Sequence, residues 1–233
     1  MKSHAFEAAF AALAASALMT SAHAGLAFSF SDPVSGRQLF NTQTNQAGPG
    51  TGILSYDSSV PIGFFVDGST EPNAFTHLWS NARMEMSMTL YAGSTVGGIF
   101  SAPVVGYFRI FDATSGLDIL RGDASGGTFL RVSGTSSILL SSDSGFNYTF
   151  GAQLLSTLAA TGNGGRLPTD AQEGVFTLTD AVAIGGGSLI GAGGVVRSFE
   201  ANASFSGNAA TTPAPGALAL LALSGLAGRR RRA

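Results

Sequence analysis

The chain has 233 residues, a formal net charge of −2 and no cysteine. The absence of cysteine excludes disulfides, cysteine-ligated zinc and thiol catalysis. The small net charge argues against nucleic-acid binding, which depends on clustered lysine and arginine. Hydrophobic residues make up 45% of the chain, which is enough to build an ordinary apolar core in one domain.

Residues 1–24 contain the three parts of a secretory signal peptide in the usual order. Lys2 gives the positive start, residues 8–19 form an apolar run, and Ala22-His23-Ala24 is a small-residue cleavage site. The run is too short for a membrane span. We therefore expect a signal-peptide helix, handled by the export machinery and removed by signal peptidase before Gly25.

The C-terminal residues contain a second targeting pattern, in which an apolar segment comes before the positive charges. The tail begins with Pro213-Ala214-Pro215, continues with the apolar segment 216–228 and ends with Arg229, Arg230, Arg231 and Arg232. As a short helix the apolar segment is about 20 Å long, whereas a bilayer core is about 30 Å thick. The arginines hold their end in the cytoplasm, so the tail predicts a transient membrane segment.

This tail resembles the PEP-CTERM sorting signal of Gram-negative bacteria, which has a Pro-Glu-Pro motif, an apolar segment and an arginine cluster. Ala214 stands where that family has glutamate, and Gly216 opens the apolar segment. The resemblance implies recognition by an exosortase, a membrane transpeptidase-like enzyme, and cleavage near the proline motif. It also implies release or attachment at the surface of a cell that makes exopolysaccharide and biofilm. A plain C-terminal tail anchor is the alternative.

With both ends removed, residues 25–207 form the expected body and residues 208–212 a short polar linker. The body has seven arginines, no lysine and 13 carboxylates, which gives it a net charge of −6. An acidic exported domain without cysteine must depend on its apolar core for stability, and about 180 residues can supply one.

An alternating pattern predicts strands throughout this body. The clearest example is Met84, Met86, Met88 and Leu90, which alternate with polar residues and so predict a half-buried strand. Similar segments cover residues 26–30, 52–56, 62–66, 104–111, 128–132, 137–140, 146–150, 175–178 and 195–205. Many short strands of this kind predict an all-β domain, a single sandwich or jelly roll.

Turn residues separate these strands. Clusters of Gly, Ser, Asn and Asp predict turns at residues 68–73, 112–116, 122–127, 141–145 and 161–165. The glycine-rich stretch 185–194 predicts either a flexible hairpin or a kink in the sheet. Residues 153–160 form the one segment of the body that suits a helix of a turn or two.

The residues that carry common enzyme chemistry are sparse. His77 is the one histidine of the body, so a zinc site of two or three histidines is excluded within one chain. The stretch 122–127 (GDASGG) resembles the nucleophile loop of trypsin-like proteases, but Ala124 interrupts the spacing. We expect no catalytic residues and a non-enzymatic protein.

Two weaker ligand sites follow from residue type. Asp112, Thr114 and Asp118 could supply oxygen ligands to Ca²⁺, although we expect no required cofactor and no other metal. His77 and Trp79 could contact a sugar, since aromatic rings stack on sugar faces. The leading interpretation is therefore a cell-surface protein of the exopolysaccharide matrix. The alternative is a carbohydrate-binding module or a weak glycoside hydrolase.

Overall fold

The computed structural model describes residues 25–31 and 36–212, and in this part of the chain 61% of residues are in strands and 8% in helices. The all-β class is therefore confirmed. The predicted signal-peptide helix and the predicted C-terminal apolar helix lie outside the described residues. Among the described residues, no helix has the length and apolar character needed to cross a membrane.

Twelve strands make up this part of the chain. They are β1 (Gly25–Phe30), β2 (Leu39–Gln43), β3 (Gly52–Tyr56), β4 (Ile62–Asp67), β5 (Thr76–Leu90), β6 (Ser94–Val96), β7 (Ile99–Asp112), β8 (Asp118–Val132), β9 (Thr135–Ser141), β10 (Phe146–Phe150), β11 (Pro168–Ala183) and β12 (Phe199–Thr211). One α-helix, α1 (Ala152–Ala160), and two short 3₁₀ turns, Ser142–Ser144 and Ala192–Gly194, complete the described elements.

The strands form one antiparallel sheet whose pairings close on themselves. From β5 the sheet runs through β7, β8, β9 and β11 to β12, and β12 pairs with β1. Strand β1 then pairs with β4, and β4 returns to β5. A second connection from β12 to β5 passes through β2 and β3. The first and last described strands are therefore neighbours.

Aromatic rings fill the interior between the two halves of this sheet. Phe108 on β7 lies 5.2 Å, centroid to centroid, from Phe205 on β12, although these strands do not pair. The same ring lies 5.1 Å from Phe176 on β11. Each half of the sheet buries one face against the other, and this accounts for the alternating pattern in the sequence.

The long strand β5 shows how the pattern works. Met84, Met86, Met88 and Leu90 are all buried, whereas Glu85 between them is partly exposed. The predicted inward face of this strand is confirmed. The helix is confirmed as well: α1 follows Gly151 and buries Leu154 and Leu158, which are four residues apart and share one face.

Three predicted boundaries are wrong. Residues 208–212 are not a linker, because β12 continues to Thr211 and pairs with β1 on one side and β11 on the other. Residues 122–127 are not a turn but the middle of β8, where the small side chains fit beside the aromatic core. The predicted strand at 195–205 begins only at Phe199, since the preceding residues close the β11–β12 connection.

Candidate functional site

Both ends of the described body lie side by side. Gly25, the residue after the predicted signal cleavage site, pairs with Ala210 near the end of β12. Thr212, the last residue before the predicted sorting motif, pairs with Leu167 through the hydrogen bond from Thr212 N–H to Leu167 O, 3.0 Å long. We call this end of the body the chain-end pole, defined by Gly25, Leu167, Ala210 and Thr212.

One turn holds the beginning of the body. The Thr70 hydroxyl accepts a hydrogen bond from the Gly25 N–H at 3.2 Å and donates one to the Gly25 carbonyl oxygen at 2.9 Å. The turn is itself fastened to the chain before β11, because the Asn163 side-chain amide donates to the Asn73 carbonyl oxygen at 2.7 Å. Thr70 thus fixes the first residue of β1 in the sheet.

The next residue of the same turn holds the other end. Glu71 is 4% exposed, and one of its carboxylate oxygens accepts a 2.6 Å hydrogen bond from the Thr211 hydroxyl. Its second oxygen lies 3.2 Å from Nε of Arg166, which is 3% exposed, in an ion pair without hydrogen-bond alignment. Arg166 also donates to the Thr212 carbonyl oxygen. We call Thr70, Glu71 and Arg166 the clasp.

A groove of about 540 Å³ crosses the outside of the chain-end pole. Its floor is formed by β1 and β12, with Ala27 and Ala210 among the small side chains. The turn at Thr70 makes one wall, and an irregular stretch of β11 around Ala171 makes the other. Ala171 has a φ of +68°, the left-handed region that L residues seldom occupy, and the pairing register between β11 and β12 is interrupted between Pro168 and Gln172.

No local sequence pattern indicates the clasp. Glu71 stands in a segment that reads as an ordinary turn, and Arg166 follows two glycines in another. The composition offers one indirect signal. The body has only seven arginines, and any arginine that is buried must pair with a carboxylate. The partner carboxylate is set by the fold, because Glu71 and Arg166 belong to separate turns.

His77 and Trp79, the predicted sugar contact, both lie on β5. His77 is exposed on β5 and its ring lies 4.1 Å, centroid to centroid, from that of Trp79. Trp79 is 9% exposed and also packs against Phe64 in the core. The indole therefore contributes mainly to packing, and no broad face of it is presented to a ligand.

The predicted calcium loop is arranged as a self-contained turn. The Ser115 hydroxyl donates to Asp112 at 2.7 Å and, with the Thr114 backbone N–H, holds the pKa of this carboxyl below its usual value. Asp118 instead lies 2.9 Å from Nε of Arg109. Among the described residues, no three His, Cys, Asp or Glu side chains come together as a group that could hold a metal ion.

Residues 122–127, which resemble the nucleophile loop of a protease, form part of strand β8. In β8, Asp123 accepts hydrogen bonds from Arg121, the shortest at 2.7 Å, and these raise the pKa of the guanidinium. The Ser125 hydroxyl donates to the Gly145 carbonyl oxygen at 3.0 Å. Ser125 is thus hydrogen-bonded to backbone, and His77 lies on a different strand, β5.

The outer face of β5, β7, β8 and β10 carries two polar rows in register. One row contains Ser87, Tyr107, Asp123 and Asn147, and the next contains Glu85, Arg109, Arg121 and Thr149. The Arg121 guanidinium lies over the Tyr107 ring, 4.2 Å from its centroid. Beside Tyr107, a depression of about 380 Å³ is lined by Asp123, Ser125 and Asn147, among others. Sequence reasoning missed this surface, because its members come from separate strands.

The predicted processing residues Ala22, Ala24, Pro213, Ala214, Pro215, Gly216 and Arg229–Arg232 lie outside the described residues. Comparison with known proteins found no matching family model, no matching curated protein and no matching solved structure.

Proposed function

We propose that this chain is an exported, non-enzymatic protein of the cell surface or the surrounding matrix, sorted by an exosortase that removes its C-terminal tail. The observation that carries the proposal is the tail itself, with its proline motif, 13-residue apolar segment and four arginines. The tail begins directly after Thr212, whose carbonyl oxygen accepts a hydrogen bond from Arg166 of the clasp.

The two ends of the body support this assignment. Among the described residues, β1 covers Gly25–Phe30 and so lies after the expected signal-peptide cleavage site. The sheet ends at Thr211, two residues before Pro213. Processing at both predicted positions would therefore leave every described strand intact, because the described strands lie between Gly25 and Thr211.

The expected result of changing Arg229–Arg232 to alanine is an uncut precursor in the periplasm or medium. Without these charges nothing holds the tail end in the cytoplasm. The intact mass of the wild-type protein should instead correspond to a chain that begins at Gly25 and ends near Pro213. Intact-mass spectrometry of the protein recovered from each fraction makes the measurement.

Changing the same four residues to lysine is the matched control, because it keeps the positive charge and should preserve the orientation of the tail. Deleting the host's exosortase should leave precursor in the inner membrane. A wild-type protein found at the cell surface with a mass that extends to Ala233 would contradict the proposal and favour a plain tail anchor.

A second candidate function, binding of matrix polysaccharide, is favoured by the outer face of β7, β8 and β10. Tyr107 provides an aromatic edge, while Asp123, Ser125 and Asn147 place carboxylate, hydroxyl and amide groups around the same depression. Aromatic rings with hydrogen-bonding groups at their margin suit the alternating apolar and polar faces of a sugar ring.

Replacing Tyr107 with alanine is expected to reduce co-sedimentation with purified host exopolysaccharide at least threefold, because it removes the apolar side of the depression. The bound fraction is measured over a range of polysaccharide concentrations, and reducing-sugar release is followed in parallel. His77→Ala is the control and should bind as the wild type does. Equal binding by the Tyr107 variant would exclude this face, and steady release of reducing sugar would indicate a hydrolase instead.

A further inference from the structure

We propose that the chain-end pole is the surface by which the tail-bearing precursor rests against the outer face of the inner membrane. This inference depends on the proposed function, since it requires the tail to be held in that membrane. It assigns a defined orientation to the body before the tail is removed.

The first step is the length of the connection. Arg166 and Leu167 both hydrogen-bond to Thr212, so the body is held in place as far as Thr212. Three residues separate Thr212 from Gly216, where the apolar segment starts. Three extended residues span at most about 10 Å. A body tethered this closely must place the chain-end pole next to the membrane surface.

The second step is the chemistry of the pole. The described residues that line its groove include one charged side chain, Asp67, and the rest are small or uncharged. Leu167, beside Thr212, is 56% exposed. The two charges of Glu71 and Arg166 are buried against each other. The body as a whole has a net charge of −6, so anionic phospholipids repel much of its surface, whereas the described lining of this groove presents one carboxylate to them, that of Asp67.

The third step concerns the new end that signal peptidase would create. Cleavage before Gly25 turns its amide nitrogen into an ammonium group, and that nitrogen is held at the groove by Thr70. A positive charge near the membrane is attracted to anionic headgroups over about a Debye length, 8–10 Å at physiological salt. The pole therefore combines an exposed leucine with one cation, an arrangement that suits a lipid headgroup surface.

The clasp is what keeps the connection short. If the end of β12 separated from the body, residues 208–212 would add about 17 Å of extended chain, and the body could turn freely. Glu71 and Arg166 are therefore positioning residues: they contact neither lipid nor the scissile bond, but they fix the point where the tail leaves.

The test uses the absence of cysteine from the chain. Ala27→Cys places a thiol in the groove, and Ala192→Cys places one in the β11–β12 connection, beyond the other end of β12. Both alanines are exposed, and about 30 Å of strand separates Phe199 from Asn208. The full chain is expressed in a Gram-negative host without exosortase, and spheroplasts are labelled with a membrane-impermeant maleimide.

The comparator is the same pair of variants with a 15-residue Gly/Ser spacer inserted after Thr212, which extends the connection by about 20 Å on average. We expect Ala27→Cys to label at least fivefold more slowly in the short chain than in the spacer chain. Ala192→Cys should label at the same rate in both. If Ala27→Cys does not accumulate, Ala210→Cys reports on the same groove.

Equal labelling of the groove thiol in the short and spacer chains would overturn the proposal while leaving tail sorting intact. If the groove thiol is protected from labelling only when exosortase is co-expressed, the membrane proposal is also overturned. The chain-end pole would then be a contact surface for that enzyme. A chain that does not sediment with membranes at all would overturn both this inference and the proposed function.

Discussion

Replacing Arg166 with methionine is expected to lower the free energy of unfolding by about 3–5 kcal/mol, because it leaves Glu71 buried without its cation. Both side chains are almost completely enclosed. The variant also removes the hydrogen bond that Arg166 donates to the Thr212 carbonyl oxygen. The measurement is urea unfolding of the purified protein, followed by tryptophan fluorescence.

The double variant Arg166→Met/Glu71→Met separates two explanations. If the cost arises from the unpaired buried carboxylate, the second change should recover most of the lost stability, since an apolar pair of similar volume can replace a buried ion pair. Arg121→Met is the matched control. Its partner Asp123 is more than one-third exposed, and exposed ion pairs contribute at most about 1 kcal/mol. If Arg166→Met lowers the free energy of unfolding by less than about 1 kcal/mol, the clasp does not stabilise the body as expected.

The second large effect is expected in the core. Phe108→Ala should destabilise the body by about 3–5 kcal/mol, the usual cost of removing a buried aromatic ring. The Phe108 ring is fully buried and contacts Phe176 and Phe205 on the opposite half of the sheet, as well as Phe146 and Tyr148 on β10. Its loss would leave a cavity between the two halves.

Phe111→Ala on the same strand is the matched comparison. Phe111 faces outward, and the Arg109 guanidinium lies over its ring at 4.5 Å from the centroid. A partly exposed cation–π contact contributes about 0.5–1 kcal/mol, so this variant should be much milder in the same urea titration. Similar losses for the two variants would show that the sheet is not held together through Phe108.

The strands were predictable because their alternation reflects a physical requirement. Met84, Met86 and Met88 must share one face of β5, and the sequence places polar residues between them. The helix was predictable for a similar reason, since Leu154 and Leu158 are one helical turn apart. Both patterns are local, so each can be recognised within a single segment of the chain.

The clasp depends on contacts between distant segments. Glu71 and Arg166 are 95 positions apart and Glu71 and Thr211 are 140 apart, so no local pattern connects them. The predicted linker at 208–212 is wrong for the same reason, since β12 continues to Thr211. Residues 208–212 are small and polar, which is typical of a linker, but β1 and β11 provide hydrogen-bonding partners on both sides. The row of Tyr107, Asp123 and Asn147 likewise exists only through strand register.

The pairing of β1 with β12 has a consequence for the order in which the sheet forms. In a chain exported as proposed above, the sheet would close only after its last strand had crossed the membrane, because β1 pairs along its whole length with β12 and over three residues with β4. Contacts between residues so far apart in sequence form slowly, since a long loop must close before any of them forms. Strand β1 therefore emerges early and waits with an open edge, and unpaired edges invite association with other chains. If the tail is held in the membrane until it is cut, as proposed above, the time needed to close the sheet and the time before release become linked.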